Sequence, residues 1–339
     1  MFVLFCLLGL SRTPLADRPM ILDCAANRAA AAYVLVTTPA GIWQFNRSTD
    51  AWTFRKTPAS PIGFIAVNGE SLWVITPRGA AVAGIKEGPW RPVKIPGRVR
   101  SLAFADDVFW AGGDSGLLFF DRKAGVWRQR AEFVVNDLLC LNDRLWIASD
   151  AGAFRYDPKP DLVHQFPTQE AGFNHVVATA SNVWFMGEKS LATARFGADT
   201  ACSFYGVPIS GYSSSGDSFF ITSRGGAFVY VPDSGKFVEL ADRHPLRGVE
   251  AVSVESPNVW FAAVDGLRRH SFADTARQVW NRDSGLAGDS LRAVHADTRF
   301  VYTVNRRSLQ VLDRQENTWK VLSLSGPPRH FLDFLFRRR

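Results

Sequence analysis

One pattern constrains this chain more than any other: a hydrophobic residue, an aromatic, further hydrophobics, and a small residue seven positions after the start. It returns eight times, beginning at Val34, Leu72, Phe109, Leu145, Val183, Phe219, Val259 and Val301. The intervals are 38, 37, 36, 38, 36, 40 and 42 residues, the spacing of propeller blades and solenoid repeats. The copies read LWVITPRG, FWAGGDSG, LWIASDAG, FFITSRGG and VWFAAVDG, and the first is YVLVTTPAG, offset by one residue. Glycine closes the turn at Gly41, Gly79, Gly116, Gly152, Gly226 and Gly266, while Ser190 and Ser308 stand there in the other two copies.

Each copy predicts four strands. An apolar run ends in a short polar turn such as VNGE at 67–70, LND at 141–143 or SPN at 256–258, whose residues accept the backbone angles of tight hairpins. The aromatic strand follows, then the turn closed by glycine, then a third strand such as IWQFN, AFRYD or LQVLDR. A fourth, such as WTFR, VWRQ or WKVL, carries a large aromatic eleven residues past the turn: Trp52, Trp90, Trp127, Phe237 and Trp319. A four-stranded sheet cannot bury both faces alone, so such units stack around an axis. No 3.6-residue apolar period persists with a cap. The fold expected is an all-β propeller of eight blades, or seven if a terminal copy completes another blade.

The expected organisation is a signal peptide at 1–16, a single propeller domain at 17–326, and a tail or ring-closing strand at 327–339. The apolar core Phe2–Leu10 has the length of a signal segment and falls well short of the roughly 20 residues that a membrane helix needs. Ala16 offers a small residue for cleavage before Asp17. This predicts a periplasmic or secreted protein without an integral membrane span. The four cysteines lack metal-ligand spacing, and Cys140 is expected to be a small apolar residue of a first strand.

The net charge of +7 raises the question of nucleic acid, but lysines and arginines are spread through the turns with acids between them, as in ADRH, NRDS and DRQE. This speaks against a nucleic-acid interface. Motifs for catalysis are absorbed by the repeat. GDSG at 113–116 matches the setting of a serine-protease nucleophile, yet occupies the same turn as SDAG and SRGG. GYSSSG at 211–216 misses nucleophile-elbow spacing and is read as a hairpin turn. The six histidines show no metal spacing. No cofactor and no catalytic residue is expected.

The segments LWIASDAGAFRYDP, VFWAGGDSGLLFFDRKAGVW and RDSGLAGDSLRAVHAD resemble the two-component regulator propeller repeats, the periplasmic sensor modules of hybrid histidine kinases. Repeat-like sequence covers nearly all of residues 20 to 325. The resemblance implies a propeller that binds something, without implying what. Turns between second and third strands gather at one end of such a fold, which points to Arg78, Asp114, Asp150, Lys189, Arg224, Asp265 and Arg306 as residues that bind a protein, carbohydrate or small-molecule partner. The alternative is a lyase or hydrolase, weakly similar to streptogramin-lyase repeats, using His175, His270 or His295 as acid, base or metal ligand.

Overall fold

The computed structural model describes residues 20–24, 27, 30–105, 108–168, 172–188, 190–205, 209–223, 226–240, 248–273 and 276–325, with side chains of 202–205 excepted. The expected signal peptide and tail lie outside these residues. Among them, eight antiparallel sheets of four strands form the blades of a β-propeller. The blades span 21–55, 64–93, 99–131, 135–165, 175–205, 209–239, 249–280 and 293–323, here numbered 1 to 8. The sole helical element among the described residues is a 3-10 turn, Arg282–Ser284. No helix there is long and apolar enough to cross a membrane.

Every repeat start falls on the second residue of its blade's second strand, and the next residue is Leu35, Trp73, Trp110, Trp146, Trp184, Phe220, Trp260 or Tyr302. Successive side chains of a strand point to opposite faces, so the two positions serve opposite neighbours. In the first of two compact units, which holds blades 2 to 5, Trp110 packs with Leu145 of the following blade and Trp146 with Val183. In the second unit, which holds blades 6, 7, 8 and 1, Phe220 packs with Val259, Trp260 with Val301, and Tyr302 with Val34. Burying one such side chain stabilises the fold by about 2–3 kcal/mol.

GYSSSG is not a turn. Residues 209–215 form the first strand of blade 6, and only Gly216 lies in the hairpin. The small residues suit neighbouring first strands that run close together: a Cβ on Gly211 would sit 2.9 Å from the Cα of Ala251 in blade 7. Ser213 Oγ accepts the N–H of Val254 at 3.2 Å, and Ser253 Oγ accepts that of Ala296 at 3.0 Å. In the first unit Ser101 Oγ accepts the N–H of Leu138 at 3.2 Å. Cys140 is half-buried at the edge of the core between blades 3 and 4.

Blade 1 draws all four strands from consecutive sequence, and its first strand, Ile21–Asp23, lies against blade 8. Arg47 grips Asp23 with both terminal nitrogens, at 3.0 and 2.7 Å, and its Nε donates to Asp297 of blade 8 at 3.0 Å. His295 Nε2 lies 2.8 Å from Asp23 Oδ2, with both side chains buried. Burial pushes the Asp23 carboxyl up, but hydrogen bonds from His295 and Arg47, together with their charges, outweigh it and hold it well below the ordinary carboxylate range.

A depressed folded-state pKa contributes stability above the unfolded value and loses it as pH falls, so the share of stability due to Asp23 should fade below about pH 4. Asp23→Asn should cost roughly 3 kcal/mol at pH 7, and the gap to the wild type should narrow at pH 3, as read by urea unfolding. An unchanged gap would remove Asp23 from the acid response. Gly116 has φ of 90°, and a Cβ there would lie 2.0 Å from the carbonyl oxygen of Ala131, whereas Gly79, with φ of 105°, faces open space. Gly116→Ala should therefore destabilise by clearly more than the roughly 1–2 kcal/mol of conformational strain expected for Gly79→Ala. Thermal melts of the two variants compare them directly.

Candidate functional site

In blades 3, 4 and 7 the turn between the second and third strands lies beside the start of the first strand. Backbone bonds fix this: the N–H of Asp114 donates to Arg98 at 3.0 Å, that of Asp150 to Val134 at 3.3 Å, and that of Val264 to Gly248 at 3.2 Å. Thr76 and Ser149 hold their turns by accepting backbone N–H groups two residues on, and Asn305 does the same with its amide oxygen.

Next to these turns the first strands of four blades carry a β-bulge. Register shifts leave Arg100, Asn136, Ser210 and Glu250 as the extra residue. A bulge re-aims its side chain out of the ladder. In the first unit this brings two of the expected site residues into one network. Arg100 pairs with Asp114 at 2.6 Å and also donates to the amide oxygen of Asn136. The Asn136 amide donates to Asp150 at 2.6 Å and to the carbonyl of Phe173 at 2.9 Å. Just inside, Asp137 accepts from Ser101 Oγ at 2.8 Å and from the N–H of Val176 at 3.3 Å, with His175 Nδ1 3.8 Å away. The network joins three successive first strands and two turns, and Asp114 and Asp150 are exposed.

Of the other expected residues, those that are described are not drawn together in this way. Arg78 donates to the carbonyl of Pro58 at 3.2 Å. Asp265 is ion-paired with Arg268 in its own blade. Arg306 is exposed on blade 8. Lys189 and Arg224 lie outside the described residues. The sequence reading missed Arg100 and Asn136. Their signal is an apolar residue, one polar residue and a small or acidic residue opening the first strand, as in VRS, VND, ISG and VEA.

The histidines of the lyase alternative have other surroundings. His295 is tied to Asp23 and stacks on Tyr302. His270 lies on a third strand, tilted against Phe272 with ring centroids 5.1 Å apart. His175 flanks Asp137. Among the described residues no group of three or more His, Cys, Asp or Glu side chains could hold a metal ion.

No family model and no curated protein sequence matches the chain. Solved structures do. Two structures of the same extracellular domain from B. thetaiotaomicron, assigned in one to a one-component and in the other to a hybrid two-component system, give TM-scores of 0.55 and 0.53 at 12% identity. Each covers 93% of this chain, against 54% and 53% of the matched one. The WD40 repeats of RRP9 give 0.53 at 11% identity, over 75% of this chain and 89% of that one. At these identities the likeness shows the β-propeller fold alone. The chain spans about half the length of the extracellular domains it matches.

The Arg100–Asp114 pair has side chains 34% and 43% exposed, so water screens it. A double-mutant cycle with Arg100→Ala and Asp114→Ala should give a coupling below about 1 kcal/mol in urea unfolding. A coupling of several kcal/mol would make the pair a structural brace and not a surface feature.

Proposed function

We propose that the protein is an exported, non-enzymatic β-propeller that binds a ligand or protein partner at the blade ends carrying the second-to-third-strand turns. One observation carries the reading: the bulged residues Arg100 and Asn136 hold the turn carboxylates Asp114 and Asp150 in a connected, water-facing array. Pre-positioned polar groups lower the ordering cost of binding. The array is built from residues that differ from blade to blade, on a frame that does not, which is how loops on a rigid scaffold acquire specificity. In the sequence repeat Arg78, Lys189, Arg224, Asp265 and Arg306 hold the equivalent turn positions of other copies, and the proposal extends to them.

Export is supported by the apolar segment Phe2–Leu10, and it agrees with the extracellular origin of the B. thetaiotaomicron domains of similar fold. The same comparison suits a sensor-like or scaffold role for this chain.

The test is capture of partners and polysaccharides on immobilised protein, followed by titration of whatever binds saturably. The combined variant Arg78→Ala, Asp114→Ala, Asp150→Ala and Asp265→Ala should weaken that binding at least tenfold, about 1.4 kcal/mol or more, while its melting temperature stays near wild type. Unchanged affinity in a folded variant would rule out this end of the blades. Turnover of the captured ligand would rule out the non-enzymatic reading.

A further inference from the structure

The slot of Arg100 in blade 3 and Asn136 in blade 4, the register position next to the partner of the residue three places past the repeat start, is held in blade 8 by Arg292, here without a bulge. There Ala293 pairs with Val304, and Arg292 donates its backbone N–H to the Val304 carbonyl at 2.7 Å, which sets Arg292 beside the turn 305–308. That turn carries Arg306 and Arg307. It is firmly held: Asn305 Oδ1 accepts the N–H groups of Arg307 at 2.8 Å and Ser308 at 2.7 Å, and Leu324 donates to the Arg307 carbonyl at 3.0 Å. Arg292 is half-buried, while Arg306 and Arg307 are exposed.

The chemistry of this slot differs between blades. In blade 3 a cation meets a turn carboxylate, Arg100 with Asp114. In blade 4 an amide meets one, Asn136 with Asp150. In blade 8 the slot and both turn positions are arginine. Among the described residues none of the three guanidinium groups has an ion-pair or hydrogen-bond partner. The nearby carboxylate of Asp289 is engaged with Arg282, accepting its backbone N–H at 2.7 Å and lying 3.5 Å from its Nε. Asp265, on the corresponding turn of blade 7, is taken by Arg268. Three cations on a stiff edge cannot satisfy one another. A guanidinium presents a planar fork of donors that matches carboxylate, sulfate and phosphate oxygens two at a time.

We propose that Arg292, Arg306 and Arg307 form a site for an oxyanion, supplied either as a free ion or as a charged group on an acidic oligosaccharide. This rests on the reading that this end of the blades binds ligands, and it specifies what one part of that end recognises.

Calorimetric titration of the full chain tests it with three probes: inorganic sulfate, a galacturonic acid tetramer, and the uncharged galactose tetramer of the same length. The wild type should bind at least one of the two anions and not the neutral sugar. The variant Arg292→Gln, Arg306→Gln, Arg307→Gln should lose at least about tenfold in affinity. A charge-matched control, Lys86→Gln, Lys123→Gln, Lys236→Gln, should stay within about twofold of wild type, because it removes the same net charge from exposed residues elsewhere. Binding of sulfate without the tetramer supports a small-ion site, and preference for the tetramer supports a glycan-borne charge. Equal affinity in the arginine variant and the wild type, an equal loss in the lysine control, or no anion binding at all overturns the proposal. None of these last outcomes touches the binding surface on blades 2, 3, 4 and 7, which partner capture tests separately.

Discussion

The structure depends on one packing relation, the aromatic third residue of a second strand lying against the second residue of the same strand in the next blade. Trp146 with Val183, Trp260 with Val301 and Tyr302 with Val34 are instances. Because strand side chains alternate, one dipeptide serves both faces of its sheet, and within each compact unit neighbouring sheets bury these residues against one another. A lone four-stranded sheet would expose both apolar faces to water, so the dipeptide makes stacking compulsory. Among the described residues the buried indole N–H of Trp146 and that of Trp260 have no acceptor. Those positions are occupied for volume and apolar area, and the polar edge of the ring is tolerated at some cost.

Stacking leaves a second requirement at the first strand of each blade, which is an open sheet edge with donors pointing away from its own ladder. Ser101, Ser213 and Ser253 meet it by accepting backbone N–H groups from the following blade, and Asp137 does so for Val176. Larger side chains would hold the strands apart. This is why GYSSSG, which has the composition of a turn, is an extended strand. Composition signals where a chain is small and polar, but smallness serves close approach of two strands as readily as it serves a turn.

Legibility in the sequence followed the range of the interactions. The second strand, its turn and the closing glycine lie within eight residues, so Gly41, Gly116 and Gly266, each at positive φ, could be identified from spacing alone. Blade number followed from counting. The pair between His295 and Asp23 spans 272 residues, and nothing near either residue announces it. His295 could be placed on a first strand, yet its partner depends on which blade meets blade 1. The candidate site divides along the same line. Asp114 and Asp150 sit in repeat turns and were legible. Arg100 and Asn136 act through a one-residue bulge, a register shift between two strands that no single strand reveals.

The bulge also accounts for how one frame can carry different surfaces. An extra residue in a first strand is excused from its own ladder, so strand register does not restrict its chemistry, and it is left to bond toward the next blade, as Asn136 does to the carbonyl of Phe173 and Ser210 to that of Val249. Arginine, asparagine, serine and glutamate all occupy it here, at 100, 136, 210 and 250. The turn residue beside it is equally unconstrained once a Thr, Ser or Asn has capped the turn. The two variable positions then determine together whether a blade end is neutralised internally or presents charge to solvent. Blades 3 and 4 satisfy themselves through Asp114 and Asp150, whereas blade 8 sets arginine beside arginine. A surface charge left without an internal partner is screened by water and costs little stability. Such a position can therefore change its charge with little effect on the fold, and its chemistry is left free for what meets it from outside.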